Sequence, residues 1–171
     1  YTFYKADGRE IGDSLLDEDG IGVAKEVVEK AEKLGKQLLL PVDTVAAGAF
    51  DNNANTQVVQ AGGIETGWQG LDIGPETVER FSNALRQAKM VVWNGPMGVF
   101  EMPNFAKGTR ALADVLAETD NVSIIGGGDT AAAIIDFGLE GRMTHVSTGG
   151  GASLEMLEGK VLPGIEALTG K

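Results

Sequence analysis

Apolar positions recur at helical spacing through residues 23–34. Val23, Val27, Val28, Ala31 and Leu34 share one face, and Gly35 follows as a stop. The shorter apolar run Gln37-Leu38-Leu39-Leu40 ends at Pro41 and reads as a buried strand, being too short for a buried helix. Val45 to Phe50 and Thr56 to Val59 flank the turn-rich Asp51-Asn52-Asn53, which predicts a strand pair. Gly74-Pro75-Glu76-Thr77 opens a helix that runs to about Ala88, with Pro at the first helical position and an early Glu. Then follow a strand over 90–93, a helix over roughly 108–118, a strand over 122–125 and an Ala-rich helix to about Phe137. A strand over 144–147, a helix from Gly149 to near Glu158 and a short helix after Leu162-Pro163-Gly164 complete the pattern.

Short, continuous apolar strands that alternate with helices predict a three-layer α/β fold, a Rossmann-like parallel sheet with helices on both faces, in one domain over 1–171. Two strands end in glycine triplets that open helices, Gly126 to Gly128 and Gly149 to Gly151. In open α/β sheets ligands sit beyond the carboxyl ends of the strands, so both triplets are expected on one rim.

Composition narrows the partners. Lys plus Arg number 14 against 25 Asp plus Glu, a formal charge of −11, which argues against nucleic acid. Nucleotides stay possible, because backbone N–H groups and a metal can hold their phosphates. No Cys and a single His leave no thiolate or nitrogen-rich metal site. No apolar run approaches the ~20 residues that span a bilayer, and a cytoplasmic protein is the default expectation. The 25 glycines cluster between apolar segments, as backbone-lined loops would require. Tyr1 to Asp7 starts as though inside an element, which suggests a fragment.

Three segments carry chemistry. In Gly126-Gly127-Gly128-Asp129-Thr130 the glycines admit a phosphate to the backbone and the helix start offers free N–H groups. Asp129 is an oxygen ligand suited to Mg²⁺, and Thr130 can donate to a phosphate oxygen. On the residues alone, a plain strand–helix turn with Asp129 as N-cap stays open. In Ser147-Thr148-Gly149-Gly150-Gly151-Ala152 an anion could lie directly on backbone N–H groups. In Trp93-Asn94-Gly95-Pro96 through Glu101, Asn94 could meet a phosphate and Glu101 a ribose, or the segment is a structured turn. His145 reads as a strand-end structural residue, Trp68 as packing, and Asp17-Glu18-Asp19 as a solvated lead-in to a helix. Neither a P-loop nor a G-x-G-x-x-G fingerprint is present.

These segments, with Leu40-Pro41-Val42-Asp43, Gly67-Trp68-Gln69-Gly70-Leu71-Asp72-Ile73-Gly74-Pro75 and His145 to Glu155, occur in an order that resembles the phosphoglycerate kinase family over essentially the whole chain. The resemblance implies the C-terminal, nucleotide-binding half of an enzyme that transfers a phosphoryl group between 1,3-bisphosphoglycerate and Mg-ADP, giving 3-phosphoglycerate and ATP. It implies Asp129 as the Mg²⁺-associated carboxylate, Thr130 and Asn94 as phosphate contacts, and Glu101 on the ribose. Leu15, in a helix lead-in Ser14-Leu15-Leu16, would wall the adenine with Gly70, Leu71 and Pro96. Gly149, Gly150 and Gly151 would hold the migrating phosphoryl on their amides.

The family's glycerate-binding domain, a helix with two lysines and a glycine-ended strand would precede Tyr1, so the sheet is expected to be truncated at the N-terminus. The chain is then expected to be inactive alone and to self-associate through the uncovered edge. The competing reading is a non-catalytic nucleotide- or anion-binding α/β module.

Overall fold

The structure is a computed structural model that describes residues 1–169. The chain divides into two compact units, Tyr1–Ala84 with Met97–Leu112, and Leu85–Pro96 with the residues from Ala113 onward.

The first unit holds α1 (Thr2–Ala6), β1 (Glu10–Ile11), α2 (Gly20–Lys33), β2 (Asp43–Ala47), β3 (Thr56–Gln60), β4 (Gly63–Ile64) and β5 (Gln69–Ile73). It also contains the first turns of α3 (Pro75–Gln87) and α4 (Lys107–Glu118). β2 is the centre of an antiparallel sheet ordered β3-β2-β5, paired from Asp43↔Gln60 to Ala47↔Thr56, with a bulge against β5 between Val45 and Ala46. β1 and β4 form a short parallel pair. Ala47, Leu71 and Phe105 make a buried cluster, flanked by Val45, Ala54, Val99 and Met102.

The second unit holds β6 (Met90–Asn94), β7 (Val122–Gly126), α5 (Gly128–Asp136), β8 (His145–Ser147), α6 (Gly150–Leu157) and α7 (Pro163–Thr169), with the last turns of α3 and α4. Its sheet is parallel, ordered β6-β7-β8, and Asn94↔Gly126 and Gly126↔Ser147 are in register. All three strands therefore end on the same edge. Trp93, Val115, Leu116, Ile125, Ala133 and Ile134 are buried here.

The α/β class and the parallel pairing of β6-β7-β8 agree with the sequence, but the strands form three sheets rather than one, and the sheet around β2 is antiparallel. The expected strand 37–40 has no ladder partner, and Leu38 is exposed. The strand instead begins beyond Pro41, where the Val42 and Asp43 N–H groups donate to Thr77 Oγ1 at 2.9 and 3.1 Å. Ser14-Leu15-Leu16 is irregular rather than a helix lead-in. α2 starts only at Gly20, whose N–H donates to Asp17 Oδ1 at 3.1 Å.

β5 was not expected, because it carries a buried carboxylate in its interior. Asp72 is 2% exposed. Its Oδ1 accepts from the Ile73 N–H and its Oδ2 from the Gly108 N–H in the first turn of α4, each at 2.8 Å. Burial pushes this carboxyl from 3.8 up to about 6, against the pull of those N–H groups and of Lys107. The folded chain thus holds the proton more tightly than the unfolded one. The contribution is fully present below 3.8 and is lost as pH rises through about 6. The shift bounds it at about 3 kcal/mol. Urea unfolding across this window should show stability falling with pH, and Asp72→Asn should flatten that slope. An unchanged slope in the variant would place the titration elsewhere.

Candidate functional site: a glycine-lined cleft

β7 delivers Gly126 to the sheet edge, and Gly127 turns the chain into α5. Gly127 adopts φ 94 and ψ 144, a region essentially reserved for glycine, and is the N-cap of the helix. Asp129 is consequently the second helical residue and not the N-cap. The first-turn N–H groups of Gly128, Asp129 and Thr130 have no partner within the helix, so they face outward as donors.

β8 ends at Ser147, and α6 starts at Gly150. The two bends touch. A Cβ added to Gly150 would lie 2.6 Å from Gly127 Cα and 2.8 Å from its nitrogen, and one added to Gly127 would lie 2.5 Å from Asn94 Oδ1. Only bare glycine backbones allow this approach.

β6 supplies the third wall through Asn94 and Gly95. The Gly95 peptide is held at both ends: its N–H donates to Thr130 Oγ1 at 2.7 Å, and its carbonyl accepts from Trp93 Nε1 at 2.6 Å. Thr130 is 1% exposed.

The result is a cleft of about 300 Å³ lined by Asn94, Gly95, Gly127, Gly128, Asp129, Thr130, Thr148, Gly150 and Gly151. The lining contains no Lys or Arg. The positive potential in the cleft comes from two helix N-termini, roughly half a positive charge each. Asp129 is exposed and adds a negative charge at the same place.

Seven candidate residues meet here: Asn94, Gly127, Gly128, Asp129, Thr130, Gly150 and Gly151. Gly126 is buried at the strand end, and Gly149 is the N-cap of α6. Two of the three amides expected to hold a phosphoryl already donate within the bend, Gly149 to Ser147 Oγ and Gly150 to the Thr148 carbonyl, both at 3.1 Å. Thr148 and Gly95 also line the cleft. Adjacency to the glycine triplet and to Asn94 was their only signal.

Pro96 ends the β6 segment of this unit, whereas Leu15, Gly70, Leu71 and Glu101 belong to the other. There Leu15 is 90% exposed, Leu71 is packed against Ala47 and Phe105, and the Gly70 N–H donates to Ser14 Oγ at 2.9 Å. Glu101 lies exposed in a turn.

Fold and cleft together define an α/β protein whose parallel sheet presents two helix N-termini and one carboxylate to a single cleft. The family model described as phosphoglycerate kinase matches residues 1–160, and the chain belongs to that family. Phosphoglycerate kinase of Trichodesmium erythraeum (strain IMS101) is 57% identical over 169 residues, covering 98% of this chain and 42% of that protein. Phosphoglycerate kinase of Limosilactobacillus reuteri is 55% identical over 172 residues, covering 100% of the chain and 42% of the relative. The solved structure of phosphoglycerate kinase from Coxiella burnetii matches with a TM-score of 0.92 at 43% identity, over 98% of this chain and 44% of that one. The chain thus spans about two-fifths of the length of these relatives.

Proposed function

We propose that this chain supplies the nucleotide-binding part of a phosphoglycerate kinase, which moves a phosphoryl group between 1,3-bisphosphoglycerate and Mg-ADP, in a cytoplasmic setting. The observation that carries the reading is the convergence of both glycine bends with Asn94, Asp129 and Thr130 on one cleft. Phosphoryl transfer asks for positioning and charge stabilisation rather than a covalent nucleophile, and oriented backbone dipoles provide both.

The donor set suits Mg²⁺ bound with its nucleotide. Among the described residues no three His, Cys, Asp or Glu cluster as a metal cage. Mg²⁺ is ordinarily held by one or two carboxylates together with substrate phosphates and water. A phosphate alone would face the repulsion of Asp129, and a divalent cation held by Asp129 would offset that repulsion. When bound, Mg²⁺ neutralises charge on the phosphates. The chain's own residues align them: Asn94 and the first-turn amides of α5 bind, and Asp129 places the cation.

The relatives' remaining length is the natural source of a glycerate site, so the chain alone is expected to bind Mg-ADP weakly without turnover. Calorimetry tests the binding, and a coupled ATP-forming assay tests the turnover. Asp129→Ala should weaken Mg-ADP roughly tenfold, about 1.4 kcal/mol, and metal-free ADP far less. Equal losses for the two ligands would remove Asp129 from its metal role. ATP formation by the isolated chain would show that it carries both substrate sites.

A further inference from the structure

Asn94-Gly95 is the one Asn-Gly dipeptide in the chain, and it sits in the cleft. An asparagine followed by glycine is the pair most open to cyclisation, because glycine has no side chain to keep its nitrogen away from the neighbouring Cγ. We propose that Asn94 is a self-modification site whose rate Thr130 governs. In the reaction the Gly95 nitrogen gives its proton to water or hydroxide and attacks Asn94 Cγ. The N–Cγ bond forms, the Cγ–Nδ2 bond breaks and ammonia leaves. Water then opens the cyclic imide at either carbonyl, leaving aspartate or its β-linked isomer. No electrons change hands, and water is the one co-reactant.

Two features of the fold bear on that step. The Asn94 side chain is exposed, so water reaches its amide. The nucleophile is restrained: the Gly95 N–H is bound to buried Thr130 Oγ1 at 2.7 Å, and the same residue's carbonyl is bound to Trp93 Nε1 at 2.6 Å. Loss of the proton requires breaking the first bond, and rotation of the peptide toward Cγ strains both. Native packing therefore slows a reaction that the local sequence favours. The product carries a carboxylate beside Asp129, where it repels phosphate. That consequence rests on the nucleotide reading above, whereas the covalent step does not.

The test incubates the full chain at mildly alkaline pH and follows amide-to-acid conversion at Asn94 by peptide mass spectrometry. Native protein should convert more slowly than urea-denatured protein. Thr130→Val should convert roughly fivefold faster than wild type, the loss of one hydrogen bond on the reacting nitrogen, and Thr130→Ser should match wild type. Equal native and denatured rates would overturn the proposal even if Thr130→Val fails to fold. Equal rates in wild type and a folded Thr130→Val would overturn it as well. In parallel, aged and fresh chains are titrated with Mg-ADP. Weaker binding by the aged chain supports the consequence, and fresh chain that fails to bind overturns the nucleotide reading while leaving the mass result intact.

Discussion

Asp43→Ala is expected to lower the unfolding free energy by about 3 kcal/mol, through the loss of a remote helix cap together with its buried hydrogen bonds. Asp43 is 2% exposed in β2, yet its carboxylate closes the start of α3, 33 residues on in the chain. Oδ2 accepts from the Glu76 N–H at 2.9 Å, and Oδ1 accepts from the Thr77 N–H at 2.8 Å and from its hydroxyl at 2.6 Å. Alanine leaves the Glu76 and Thr77 amides without this partner, the Thr77 amide in a buried place, and unmade buried bonds cost more than made ones contribute. Asp43→Asn keeps one oxygen acceptor and should lose clearly less. Urea unfolding of the three proteins, followed by circular dichroism, reads the difference. Equal losses for Ala and Asn would mean that volume matters and the cap does not.

The same device recurs with threonine, and it marks where sequence reading stopped. Thr77, Thr109 and Thr130 each occupy the third position of their helix, and all three are fully buried. Each hydroxyl accepts backbone N–H groups from a preceding segment: Val42 and Asp43 for Thr77, Met97 and Gly98 for Thr109, and Gly95 for Thr130. Pro75-Glu76-Thr77 was legible as a helix start, because Pro and early Glu act locally. The burial of its threonine was not, because it depends on a segment more than thirty residues earlier.

Thr130 reads locally as a phosphate donor for the same reason. Local chemistry offered a hydroxyl beside glycines, while the fold also uses its oxygen to hold Gly95. β6 and β7 were legible as continuous apolar runs between glycine or polar punctuation. β5 was hidden because Gly70 and buried Asp72 interrupt any apolar period. The run 37–40 misled because apolar character predicts burial, and a strand needs a partner besides. The cleft itself was legible, since a glycine triplet that ends a strand and opens a helix sets a helix N-terminus at the strand's end; that Gly149 and Gly150 bond within the bend was not.

Gly150→Ala should separate stability and binding from mere helix propensity. On propensity alone, alanine in place of a helical glycine stabilises by up to about 1 kcal/mol. At Gly151 a new Cβ meets nothing within 4 Å, so Gly151→Ala should be neutral or stabilising in the absence of ligand. One residue earlier the sign reverses. The Gly150 Cβ would press on the Gly127 backbone at 2.6 and 2.8 Å, and backbone cannot swing aside as the end of a long side chain can. Either α6 retreats or the β7–α5 bend shifts, and Gly127, already in a glycine-only conformation, has little freedom to follow. Overpacking of this kind costs typically 1–3 kcal/mol. Because the same contact sets the distance between the two helix N-termini, Mg-ADP affinity should fall at least about tenfold alongside the stability loss. Thermal unfolding of both alanine variants, with calorimetry on Gly150→Ala, decides the matter. If Gly150→Ala melts like Gly151→Ala and binds Mg-ADP like the parent chain, the touching bends do not build the cradle.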